Sequence, residues 1–285
     1  MNQLILNNVS IIDGISPTIK HEKSIVIEND TIKSIIPKFE QPVTDALFID
    51  LTGKTVIPGL IDTHMHASLT TKKQLTYYLD CGVTTIRDVG ASLTKILKLK
   101  HDFASDFNSS SPTYPRLLYT GPLIDGPTKS YDKPELNELI VSVKDDESIK
   151  AELDTLFNNG VHAIKLYYGL NKDLTQKIVS YVNKRCPVIM HCGKTKGLEA
   201  ARIGVNSIEH VMLSIHHDLI GSKKFNTYEG IENKNYWTKV IKDWEEVDFS
   251  NDKIKHLIDS LANTKVSLCS TLCLLWIGYI GIESA

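Results

Sequence analysis

The chain has 285 residues, with 32 Lys+Arg against 34 Asp+Glu for a formal net charge of −2; 42% of residues are hydrophobic and 23% charged. These are the proportions of an ordinary globular protein, which excludes a disordered tail, a collagen-like fibre and a multi-span membrane protein. The near-neutral balance gives no electrostatic reason to expect a nucleic-acid partner, and the length fits one large domain or two modest ones.

Residues 1–57 read as β-rich. Short β-branched or alternating runs at 4–9, 24–27, 31–36 and 48–51 are separated by the turn residues Asp13-Gly14, Glu28-Asn29-Asp30 and Thr52-Gly53. A small sheet or sandwich is expected there. After Gly53 short apolar runs alternate with helix-like stretches, the rhythm of a parallel α/β sheet or barrel. Strands are expected at 55–61, 84–88, 116–120, 163–167, 187–191, 207–210 and 265–270, with helices at 72–81, 91–103, 145–159, 172–184, 194–203 and 252–263. The long connections 121–144 and 211–250 are expected to form loops or lids over a site at the strand ends.

The first residues lack a positive segment followed by a long apolar core, so no secretory signal is expected. Five dispersed cysteines (Cys81, Cys186, Cys192, Cys269 and Cys273) make a poor disulfide framework. They are expected to be ordinary buried thiols in a reducing, cytoplasmic compartment. Residues 266–282 carry no charge. They read as a buried strand running into an apolar tail, with a membrane anchor as the alternative.

Several side chains with chemistry stand at the expected strand ends. His64 and His66 follow an apolar run, and in an extended chain residues i and i+2 point to the same side, so both imidazoles can face one ion. Lys165 follows in AIKLYYG, His191 in VIMHCG and His210 in SIEHVM. Imidazole is the usual nitrogen ligand of Zn²⁺ and similar ions. An HxH pair alone is weak; three further strand ends delivering Lys, His and His change the odds, because such ends converge on one mouth of a barrel.

Other residues have blander readings. Lys165 can instead reach solvent or pair with a carboxylate. Tyr167 and Tyr168 can donate to an oxyanion or simply pack. Arg87 and Asp88, at the end of the second strand, are explained equally well by an internal ion pair. His216 and His217 are expected to be exposed in a loop. His162, before the fourth strand, and His101, in a polar turn, are not ligand candidates. Asp62 alternates away from the metal face, in position to orient a ligand.

Taken together, VIPGLIDTHMH, CGVTTIRDVG, AIKLYYG, VIMHCG and GVNSIEH resemble the metal-dependent amidohydrolase superfamily, in particular its imidazolonepropionase- and prolidase-related branch. The resemblance runs in order over about residues 1–272. It implies an α/β protein with a small N-terminal β-sandwich part (1–57) and a TIM-like (β/α)₈ barrel (58–285). By that resemblance His64 and His66 hold the more buried metal, and His191 and His210 hold a second. Lys165, carboxylated by CO₂, bridges the two. The implied cofactors are one or two divalent ions, zinc first, and the Lys165 carbamate. The implied reaction is hydrolysis of a carbon–nitrogen bond in an amide, cyclic amide or dipeptide.

The resemblance also requires an aspartate on an eighth strand. After Leu272 only 13 residues remain, and none is Asp. An incomplete barrel of about seven strands with impaired turnover is therefore expected. The alternative is a non-catalytic metal-binding remnant, or a fragment completed by a partner chain. A small-molecule substrate and a possible homo-oligomer complete the expectations, without nucleic acid or membrane.

Overall fold

The computed structural model describes residues 3–107, 113–128, 138–221 and 233–273. The chain folds into two compact units, Met1–Leu60 and Ile61–Ala285.

In the first unit, β1 (Gln3–Ile11), β2 (Lys20–Glu28), β3 (Thr31–Pro37), β4 (Leu47–Asp50) and β5 (Thr55–Val56) form one sheet of order β3-β2-β1-β4, with β5 also beside β1. β1 and β2, and β2 and β3, pair antiparallel, whereas β4 and β5 run parallel to β1. Alternation along β1 buries Ile5, Asn7, Val9 and Ile11 on one face. The buried Asn7 is satisfied: its Oδ1 accepts from the Ser24 hydroxyl at 2.5 Å and the Phe39 amide at 2.9 Å. Where the resemblance implies a sandwich, the described residues of this unit form a single sheet, all five strands joining one ladder.

The second unit opens with a difference from the expected 55–61 strand. Pro58 has no amide hydrogen and biases its predecessor, and the run divides there. β5 pairs with β1, and β6 (Leu60–Met65) starts a new sheet. The parallel strands that follow are β7 (Val83–Asp88), β8 (Arg116–Tyr119), β9 (Leu123–Asp125), β10 (Ile140–Ser142), β11 (Ile164–Leu166), β12 (Val188–Met190), β13 (Ser207–Glu209) and β14 (Ser267–Cys269). The helices are α1 (Lys72–Asp80), α2 (Leu93–Phe107), α3 (Asp146–Asn158), α4 (Lys172–Val182), α5 (Gly197–Ile203), α6 (Val211–Ser214), α7 (His216–Ile220), α8 (Asn233–Glu245) and α9 (Asp252–Thr264).

Local chemistry sets the helix starts. Thr71 and Asp145 open capping boxes with Gln74 and Ser148, and the Asn171 and Asn251 side chains cap α4 and α9.

The strands form a three-stranded sheet, β6-β7-β8, and a six-stranded sheet, β10-β9-β11-β12-β13-β14. One backbone bond, from the His162 amide to the Tyr119 carbonyl at 2.9 Å, links the end of β8 to the start of β11. No ladder joins β6 to β14 among the described residues. Every residue of β11, β12 and β13 is buried, as expected of parallel strands covered on both faces. Their Ile164, Leu166, Val188, Met190 and Ile208 pack with Leu153, Leu156, Ile178 and Ala200 of the helices.

Three expectations are corrected. Among the described residues β14 pairs only with β13, and Ser267 and Leu268 are exposed instead of buried; residues 274–285 lie outside the described residues. The connections 121–144 and 211–250 are not plain loops: the first carries β9 and β10, the second α6, α7 and α8, although 129–137 and 222–232 lie outside the described residues. Cys81 and Cys273 are exposed, since Cys81 caps the end of α1 and Cys273 follows β14. No described helix is long and apolar enough to cross a membrane.

Candidate metal centre

Side chains from β6, β11 and β13 and from the segments just after β6, β12, β13 and β14 meet at one end of the strands. The rings of His66, His64, His210 and His191 form a row with successive centroid separations of 6.2, 4.4 and 4.6 Å. All four are partly buried. Lys165, on β11, is 2% exposed, and its Nζ has no hydrogen-bond partner among the described residues. Burial holds His64, His191 and His210 below the ordinary imidazole range, and the Lys165 charge adds to the effect. Burial likewise pulls Lys165 from 10.5 down to about 8.

Hydrogen bonds fix which ring nitrogen stays available on three of the histidines. His66 Nδ1 lies 2.9 Å from the Gly90 carbonyl, which can only accept, so Nδ1 carries the hydrogen and Nε2 keeps its lone pair. The Thr271 hydroxyl donates to the Ser270 carbonyl and therefore accepts from His210 Nδ1 at 3.0 Å. His64 Nδ1 meets Glu209 Oε2 at 2.5 Å. Three Nε2 lone pairs thus remain for an ion. His210 (φ 52°) and its partner Thr271 (φ 51°) both sit in the left-handed region, an uncommon conformation for a β-branched residue such as threonine.

Glu209 joins the cluster without having been singled out in the sequence. Fully buried on β13, it accepts from His64, from Arg87 Nη2 at 3.0 Å and from the Ser207 hydroxyl at 2.9 Å. Burial pushes its carboxyl up, but the His64 bond and the Lys165 and Arg87 charges outweigh it and hold the group at about 2. The available signal was a charged residue inside an otherwise uncharged buried strand. Cys269 was missed too: ligand-capable atoms of His64, Glu209 and Cys269 all lie within 4.8 Å of one another. Burial raises the Cys269 thiol, with the nearby Glu209 charge adding to it.

The other singled-out residues divide clearly. Arg87 pairs with Glu209 and not with Asp88; its Nε also donates to the Thr63 carbonyl at 2.6 Å. Asp88 instead accepts from the Ser68 and Gly90 amides, both at 3.0 Å, and so steadies the segments flanking His66. Asp62 accepts from the backbone amide of His64 at 3.0 Å, not from an imidazole. Tyr167 and Tyr168 set their rings edge-on to His191, at 5.3 and 6.0 Å. His162 Nδ1 accepts from the Tyr119 amide at 3.3 Å, and His101 lies on α2 instead of in a turn.

His216 and His217 are buried, against the expectation of an exposed loop. They belong to α7, where His216 Nε2 faces Asp243 of α8 at 3.3 Å and His217 Nδ1 reaches the Gly193 carbonyl at 3.4 Å.

Parallel α/β strands thus gather four histidines and a buried lysine at one end. Known proteins share this α/β fold. The imidazolonepropionase of Geobacillus sp. (strain WCH70) is 21% identical over 196 residues, covering 66% of this chain and 45% of that protein. A putative prolidase from Bifidobacterium longum superposes with a TM-score of 0.59 at 25% identity, covering 73% of this chain and 54% of the other. A Xaa-Pro dipeptidase with bound methionine superposes with a TM-score of 0.63 at 20% identity, covering 94% and 79%. The chain is thus similar to amidohydrolases in fold and, at low identity, over part of its sequence. It spans a little under half the length of the imidazolonepropionase, and no family model matches it.

Proposed function

We propose that the protein is a metal-dependent hydrolase that cleaves a carbon–nitrogen bond in a small molecule such as an amide, a cyclic amide or a dipeptide. The observation that carries this reading is the meeting of four histidines with an orphaned, buried lysine. A buried amine without a partner is costly, and the cost is explained when the nitrogen serves a ligand. The donor set fits a divalent ion of the zinc type: His64 and His66 would hold one ion, His191 and His210 a second, with Lys165 between them. Such an ion supplies a Lewis acid for a carbonyl oxygen and lowers the pKa of water.

The chain's own residues prepare the rest. Burial favours the neutral amine of Lys165. Its lone pair can form an N–C bond to CO₂ and release one proton to solvent, giving a carbamate with two anionic oxygens. That carbamate would offer cations anionic oxygens where the ammonium would repel them. Tyr167 and Tyr168, beside His191, stand where a phenol can donate to a developing oxyanion. The relatives' names, imidazolonepropionase, prolidase and Xaa-Pro dipeptidase, support a small substrate with a C–N bond. An incomplete barrel of about seven strands, turnover impaired by the missing eighth strand, and a cytoplasmic location belong to the same proposal.

The test is metal analysis of protein purified without chelator, followed by a screen of the zinc-loaded protein on Xaa-Pro dipeptides, lactams and hydantoins. One to two equivalents of metal and turnover on at least one class are expected. Folded protein with under about a tenth of an equivalent overturns the proposal.

A further inference from the structure

We infer that Glu209, braced by Arg87, is a positioning residue that holds His64 in the tautomer and orientation needed to bind metal. The inference rests on the metal-dependent reading above and deepens it.

Three donors converge on one buried carboxylate. Oε2 takes His64 Nδ1, and Oε1 takes Arg87 Nη2 and the Ser207 hydroxyl. A guanidinium and the Ser207 hydroxyl as placed only donate here, so Glu209 is an acceptor with no partner calling for a carboxyl hydrogen. His64 must then place its hydrogen on Nδ1, which directs the Nε2 lone pair away from Glu209. Arg87 does more than neutralise the acid. Its Nε holds the Thr63 carbonyl at 2.6 Å, one residue before His64, while Nη2 holds Glu209 at 3.0 Å. One rigid guanidinium therefore fixes both the backbone that carries the imidazole and the acceptor that orients it.

A purely structural reading is weaker. A buried ion pair gives up about as much in desolvation as it regains, and apolar residues of similar size often serve stability better. A carboxylate behind a histidine, by contrast, raises the basicity of the free nitrogen and prepays the order of the ring. Both Glu209 oxygens are already engaged, so the carboxylate acts through His64.

The test compares zinc affinity by chelator competition in the wild type, Glu209→Gln and Arg87→Met. Tyr119→Phe serves as a control destabilised away from the site. Glu209→Gln is expected to weaken zinc binding about 10- to 100-fold, Arg87→Met to weaken it in the same direction, and Tyr119→Phe to leave it unchanged. Imidazole ¹⁵N spectra of the metal-free wild type are expected to show His64 protonated on Nδ1. Zinc affinity within twofold of wild type in folded Glu209→Gln overturns the inference, and so does a His64 hydrogen on Nε2. Failure of the wild type to bind zinc at all refutes the metal-dependent reading instead. The spectra decide the inference even if both site variants fail to fold.

Discussion

Lys165→Met should stabilise the metal-free protein. The Lys165 amine is buried to 2% exposure and its Nζ makes no hydrogen bond among the described residues, which is the costliest way to keep a polar group inside a fold. Burial lowers its pKa from 10.5 to about 8. At about 1.4 kcal/mol per pH unit, carrying the proton in the folded state costs about 3 kcal/mol. A methionine of similar length removes that cost and keeps the packing between Ile164 and Leu166, so a gain of about 1–3 kcal/mol is expected at pH 7.

The pH dependence has a definite sign. Below pH 8 both folded and unfolded chains carry the Lys165 proton, and the wild type bears the full cost. Between about 8 and 10.5 only the unfolded chain still binds it, so wild-type stability rises with pH and approaches that of the variant. Urea unfolding with chelator in CO₂-free buffer, from pH 7 to 10.5, measures both effects. A variant less stable than wild type at pH 7 would refute the reasoning. So would a wild type lacking the alkaline rise that the variant also lacks.

Two further substitutions probe the scaffold around the site. A methyl group on Gly126 would lie 2.3 Å from the Gly169 carbonyl oxygen, and both residues' amides are held by Asp125 Oδ1. Gly126→Ala should therefore cost about 2 kcal/mol or more and lower the melting temperature; an unchanged Tm contradicts this. Tyr119→Phe removes the 2.8 Å bond from a fully buried phenol to the Asn159 carbonyl. A loss of about 1 kcal/mol in urea unfolding is expected, and no loss would mean that the carbonyl finds another donor.

Much of the fold was legible in local patterns. All six expected helices form, because apolar spacing and capping residues such as Thr71 and Asp145 act within one turn of chain. The strand at 55–61 was misread because apolar character alone hides the break that Pro58 imposes. His216 and His217 were misread for a different reason. A polar pair near the end of a strand looks solvated until α8 brings Asp243 against His216.

The sequence by itself determined the alternation of strand and helix and the residue types standing at the strand ends: His64, His66, Lys165, His191 and His210. Tertiary structure alone decided which of those groups are bare and which are held. Glu209 reaches His64 across 145 positions of sequence, and Arg87 reaches Glu209 across 122. No local pattern encodes such pairs, because hydrogen-bond geometry depends on how strands from distant segments are laid side by side. The buried Lys165 amine likewise acquires its lowered pKa from the packed core around it, which exists only after the strands assemble.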